Sequence, residues 1–247
     1  MKKWLPAIVL VMSVALTTPY TASADLIFDV DLGGVAGSGL GTVSTILTMQ
    51  SPGSGSLESG SVSRSGGTDV KSDTGVLASG GTTDVGNVKT GASQTVTQTF
   101  GGNGITRASQ IAIVFNADEP SGNSITLTGL QMTVFNGNAI FDTANLADSV
   151  TFPTTFTGIG KQGFVFRLDT AETAALQTKL DALLNPATVA GLRIGLSASA
   201  SDATGGPETF NLATITAVPE SGGTLLFTAT ALAGLSFVAW RRQNKLC

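Results

Sequence analysis

The chain has 247 residues, with 17 acidic against 13 basic side chains, 31 Gly, one Cys and no His. Without His, and with its one Cys at position 247, it offers no Ser-His-Asp triad, no Cys-His pair and no metal site built on His and Cys. The acidic balance argues against nucleic acid or an anionic membrane surface as the main partner.

Lys2 and Lys3 precede an apolar core from Leu5 to Leu16, and the small residues Ala22-Ser23-Ala24 follow. This order predicts a secretory signal peptide over residues 1–24, cut after Ala24, with Ala22 and Ala24 as the small residues of the cleavage site. Residues 25–217 then form one domain, long enough for a sizeable core. Trp4, Tyr20, Trp240 and Cys247 all lie outside it, so the domain has no Trp, Tyr, Cys or His and no disulfide. It carries eight Lys/Arg against sixteen Asp/Glu, a net charge of −8. That charge fits an exported soluble domain and is compatible with divalent cations.

Asp25–Leu32 alternates in part and reads as a first strand, followed by a Gly-rich break and a β-branched strand over Thr42–Met49. Residues 51–91 are rich in Gly, Ser, Thr and Asp and poor in large apolar side chains, which predicts the loosest region of the domain. Within it Ser65-Gly66-Gly67-Thr68-Asp69-Val70-Lys71 returns as Ser79-Gly80-Gly81-Thr82-Thr83-Asp84-Val85, too few copies for a solenoid. The two copies read as an irregular hairpin or flap, with a calcium-binding turn repeat as the alternative.

Strand patterns strengthen from Ser93. Gln110–Phe115 is almost wholly apolar and predicts a strand buried on both faces. Beyond the polar turn 116–123, Ile125 and Leu127 share one parity while Leu130, Met132 and Val134 take the other, so a bulge or bend is expected at Gly129. Phe135-Asn136-Gly137-Asn138 predicts a hairpin turn. Ala139–Phe141 and Thr151–Thr157 read as short strands, and Phe164, Phe166 and Leu168 as part of another. A helix follows, capped by Asp169 or Thr170, with a stripe of Leu176, Leu180, Leu183 and Leu184, and ended by Asn185-Pro186. Leu192–Ala200 alternates with period two, and Glu208–Ile215 is a last strand. The expected fold is mainly β, an antiparallel β-sandwich of jelly-roll or related form, with one short surface helix besides the signal helix and a C-terminal transmembrane helix.

Residues 218–223 read Val218-Pro219-Glu220-Ser221-Gly222-Gly223. An uncharged run over 224–240 follows, then Arg241 and Arg242 in a basic segment 241–247. A helix of about 17 residues rising roughly 1.5 Å each reaches about 26 Å, the short end of what spans a bilayer core. Trp240 sits at an interfacial position, and the basic cluster places the far side in the cytoplasm. Motif, apolar helix and Arg pair in this order resemble the PEP-CTERM sorting tail of Gram-negative bacteria, on Val218, Pro219, Glu220, Arg241 and Arg242. Ser221 stands where the family name would place its second Pro. The resemblance implies an exosortase-type processing enzyme as partner, a transient anchor in the inner membrane, and delivery to the cell surface or extracellular matrix. Residues 110–212 are also loosely similar to exported domains that carry such tails, on Leu192–Ala200 and Gly206-Pro207-Glu208-Thr209-Phe210.

The expected function is therefore that of a non-enzymatic surface or matrix protein of a biofilm, associated with exopolysaccharide and not with nucleic acid. A carbohydrate-binding module is the alternative, although the domain lacks the Trp and Tyr platforms that sugar sites commonly use. No cofactor is expected, with calcium as the one candidate. Asp29 and Asp31 share a strand face, and Asp118, Glu119 and Asn123 lie in one turn, giving the oxygen ligands that calcium takes.

Overall fold

The computed structural model describes residues 25–30, 34–35, 43–50, 57–73, 87–91, 93–120, 122–153 and 163–215. Residues 1–24, expected to be a signal peptide, Asp31, and residues 218–247, expected to be a sorting tail, lie outside the described residues. The chain is mainly β. Its strands are β1 (Asp25–Phe28), β2 (Gly34–Val35), β3 (Ser44–Met49), β4 (Leu57–Ser65), β5 (Thr68–Ser72), β6 (Gln98–Thr99) and β7 (Ile111–Asn116). They continue with β8 (Ser124–Asn136), β9 (Ala139–Leu146), β10 (Val150–Pro153), β11 (Gly163–Leu168), β12 (Arg193–Ser201) and β13 (Glu208–Thr214). Two helices, α1 (Thr170–Asp181) and α2 (Pro186–Gly191), separate β11 from β12.

The strands belong to one curled sheet in the order β3-β13-β7-β11-β1-β9-β8-β12-β4-β5, with β10 on β8, β2 on β11 and β6 on β12. Among the described residues the pairing is antiparallel except where Asp25 and Leu26 of β1 run alongside Asn145 and Leu146 of β9. Both flanks of the sheet face one core, which joins Ile46 and Leu47 of β3 to Ile194 and Leu196 of β12 and to Leu176 and Leu180 of α1. Its densest part is aromatic. Phe152 stacks on Phe164 with ring centroids 3.9 Å apart, and Phe115 stacks on Phe210 at 4.7 Å.

Parity explains several elements. Ile111, Ile113 and Phe115 of β7 face the main core, while Ala112 and Val114 meet Val165 and Ala213 on the other face. This strand is buried on both sides, as its unbroken apolar run requires. In β8, Ser199 of β12 pairs with Gly129 and Ala200 with Leu127, so Thr128 is the extra residue of a bulge. The bulge lets Leu127 and Leu130, three apart, both point inward.

Three expectations need correction. Residues 57–72, inside the span expected to be loose, form the paired strands β4 and β5, and β4 lies in the sheet between β12 and β5. The first Ser-Gly-Gly-Thr-Asp copy is their turn; Gly66 and Gly67 have φ of +56° and +81°, which a residue with a Cβ rarely adopts. The second copy lies outside the described residues. β9 runs to Leu146 instead of stopping at Phe141, because Asp142–Asn145 find partners in β8. The helix ends at Asp181, and Asn185-Pro186 opens a second helix: the Asn185 side chain accepts the Ala187 N–H. Leu184 therefore leaves the apolar stripe and is 92% exposed.

Residues 87–91 and 93–99 form a strap that helps close the curl. Val88 bridges Met49, Lys89 N–H donates to the Thr48 carbonyl and Val96 N–H to that of Ile46. At its far end β6 pairs with Arg193 and Ile194 of β12. The strap thus links the β3 edge of the sheet to β12 near its opposite edge.

Candidate functional site

The turn that follows β7 docks on the loop between β12 and β13. Glu119 is 2% exposed, and both its carboxylate oxygens accept the Thr204 N–H at 2.9 Å. The Thr204 hydroxyl donates to Glu119 Oε2 at 2.7 Å and itself accepts from Asn123 Nδ2 at 2.8 Å. Gly206 N–H donates to the Asp118 carbonyl at 2.7 Å. A Cβ on Gly205 would collide with that same carbonyl, so the loops meet backbone to backbone. Of the expected calcium ligands, Glu119 and Asn123 are thus brought together on Thr204, with Asp118 against the neighbouring Gly205 and Gly206. Asp29 sits apart, at the end of β1, paired with Arg167 at 2.5 Å. Among the described residues no group of three or more acidic side chains is placed to hold a metal ion.

Glu58 of β4 and Glu208 of β13 lie 4% and 0% exposed. Burial pushes the Glu208 carboxyl up to about 11, helped by the adjacent Glu58 carboxyl and by the charge of Glu119. Glu208 is therefore protonated at neutral pH.

A second polar cluster ties the strap to the sheet. Asp69 of β5 accepts the Thr97 N–H at 2.9 Å, the Thr97 hydroxyl at 2.7 Å and Arg64 Nη1 at 2.9 Å. Arg193 donates to the Thr97 hydroxyl at 2.7 Å and to its carbonyl at 2.5 Å. Burial opposes ionisation of Asp69, but the donors from Thr97 and Arg64 and the charge of Arg193 hold its pKa below the usual carboxylate value.

Beside α1 runs an open groove of about 950 Å³, with Arg107, Arg167, Thr173 and Gln177 among its polar lining and Ile27 and Ile111 among its apolar lining. Gln177 Oε1 accepts the Ala108 N–H at 3.0 Å, and its amide donates to Asp181 at 2.7 Å, which fixes one wall. On α1, Asp169 caps the first turn by accepting the Glu172 N–H at 2.6 Å. Glu172 itself is buried near Asp142, which Lys179 meets at 2.8 Å. Burial, then the Asp142 charge, push the Glu172 carboxyl up to about 7, against the opposing charge of Lys179. Such a groove has the chemistry to hold hydroxyl-bearing ligands through planar polar groups.

The buried acids carry a signal in the parity of the sequence. Glu208 shares its strand face with Phe210 and Leu212, and Glu58 shares one with Gly60 and Val62. Glu172 precedes Leu176 and Leu180 at helical spacing. The contact of Asp69 with Thr97 had no such signal, because 28 residues separate them. Ala22 and Ala24, expected at a cleavage site, and Val218, Pro219, Glu220, Arg241 and Arg242, expected in a sorting tail, lie outside the described residues, as does the run 224–240. Among the described residues no helix is long and apolar enough to cross a membrane.

No family model, curated protein or solved structure matches this chain.

Proposed function

We propose that this is a non-enzymatic exported protein of the cell surface or extracellular matrix, sorted through a PEP-CTERM-like tail. The observation that carries the reading is the order of Val218-Pro219-Glu220, an uncharged run over 224–240, and the pair Arg241-Arg242. Apolar length supplies membrane affinity, the cations set its orientation, and the motif before the run stands where a membrane enzyme on the outer side could cut. The acidic domain supports the reading through its charge, net −8, which resists adsorption to anionic surfaces. Its fold, which we class as a β-sandwich related to jelly rolls, rests on the single core shared by both flanks of the sheet.

The test is fractionation of a tagged chain expressed in a host with an exosortase and in one without. Export with loss of the tail only in the first host supports the reading. Retention in the cytosol of both hosts overturns it.

A second reading, a carbohydrate-binding module, is favoured by the groove beside α1 with its Arg, Thr and Gln lining. Specific micromolar binding on a glycan array, lost on Gln177→Ala, would favour it. A calcium contribution is tested by chelation: an unchanged melting temperature removes it.

A further inference from the structure

Leu184 is 92% exposed and holds a left-handed φ of +54°. That conformation disfavours a residue with a Cβ, and it is held between the end of α1 and the Asn185 cap of α2. Leu184 borders an open groove of about 390 Å³, lined also by Ile105, Leu180, Pro186 and Val189. A projecting leucine above an apolar groove is a surface that gains by leaving water.

The path of the chain says what meets it. β13 ends in the same cluster: Ile215 N–H donates to the Gln110 carbonyl at 2.9 Å, and the Thr214 hydroxyl to the Asn103 carbonyl at 2.5 Å. The turn 101–103 packs on α2, where a Cβ on Gly101 would lie 3.0 Å from that of Ala190. Gly101, Gly104 and Ile105 of this segment also line the groove. Only residues 216–223 separate Ile215 from the uncharged run. Eight extended residues span at most about 29 Å. If that run spans the bilayer, the α1–α2 end is held close to the lipid headgroups. The turn that carries Asp118 and Glu119 and the loop that carries Asp202 lie beyond the other end of β7 and β12.

We propose that the α1–α2 end of the domain docks on the lipid surface, with Leu184 entering the interface and the exposed Arg107, which lines the adjoining groove across Thr106 and Asp181, at headgroup level. This rests on the reading of residues 224–240 as a membrane span. The interfacial contact is that of a monotopic wedge: apolar area below, a cation that meets phosphate above.

The experiment uses the full chain in phosphatidylcholine–phosphatidylethanolamine vesicles containing brominated lipid, zwitterionic so that the net −8 of the domain does not oppose the contact. A Cys247→Ser background carries one fluorophore at a time, through Leu184→Cys, Leu57→Cys or Leu232→Cys. Leu184 and Leu57 are both exposed, so labelling leaves the core intact, and Leu57 pairs with Ser201 at the far end of β12. The expected result is at least twofold quenching at 184 and 232 and none at 57. Quenching at 232 with none at 184 overturns the docking and leaves the membrane span standing. Absence of quenching at 232 overturns both. A label at 184 that is shielded from aqueous iodide without lipid quenching shows a protein partner, such as a second copy, and overturns the proposal.

Discussion

Asp69 on β5 holds both the backbone N–H and the hydroxyl of Thr97, 28 residues away, at 2.9 and 2.7 Å. Two guanidiniums, Arg64 and Arg193, converge on the same pair of residues. The contact fastens the strap to the sheet edge, so it is a closure and not a surface ornament.

Asp69→Ala removes the acceptor for the Thr97 N–H and hydroxyl, and Thr97 is 1% exposed. Hydrogen bonds to a charged group contribute about 1.5–3 kcal/mol each, and a loss of at least that size is expected in urea unfolding. The pH dependence carries its own sign. With a folded pKa below the unfolded value of about 3.9, the stabilisation is fully present above that value. It is lost as pH falls through the folded pKa. Asp69→Asn should flatten the acid limb of the stability curve; an unchanged acid limb would show that the carboxylate charge contributes nothing there.

Glu208 behaves in the opposite sense. Its folded pKa, about 11, lies above the unfolded value of about 4.3, so the folded state holds the extra proton. Stability is greatest below the unfolded pKa and declines as pH rises toward the folded one. Glu208→Gln keeps a neutral side chain of the same shape. Its melting temperature should gain on that of the parent steadily from pH 5 to 9, and a gap that does not grow with pH would refute the assignment.

Glu172 titrates earlier. With a folded pKa of about 7, its cost develops between about pH 4.3 and 7 and then levels off. The advantage of Glu172→Gln should stop growing above pH 7, whereas that of Glu208→Gln continues. Carbon NMR of labelled Glu carboxyls distinguishes the two directly.

Gly195 of β12 lies between β8 and β4, and a Cβ there would strike the Val62 carbonyl and come within 3.0 Å of the Phe135 ring. Gly195→Ala should cost about 1–3 kcal/mol through displacement of β4. Gly104, at φ +67° in open space, is the control. Asn there tolerates the left-handed backbone, and Gly104→Asn should stay within about 0.5 kcal/mol of the parent in the same urea titration.

Elements defined by side-chain periodicity were readable in advance. The double-sided burial of β7, the bulge beside Gly129 and the existence of the strand β12 all follow from which residues share a parity, although β12 is buried on both faces from Ile194 to Ala198. Elements defined by partners were not. β4 and β5 carry small polar residues and look loose, yet β4 is held by β12 over Leu57–Val62 and by β5 along Ser61–Ser65. Leu184 fits the helical stripe by spacing, yet it projects, because Asn185 and Pro186 favour a new helix start over a longer α1.

Composition alone ruled out His and Cys chemistry for residues 25–217, because a side chain that is not there cannot react wherever the chain folds. Periodicity alone established that those residues are mainly β, because alternation is a property of neighbours along the chain. The tertiary structure decided the rest: one curled sheet, a strap across its opening, and Glu58 and Glu208 shut together in its interior. Those features depend on residues distant in sequence meeting in space, and a local pattern carries no information about which distant strand will arrive beside it.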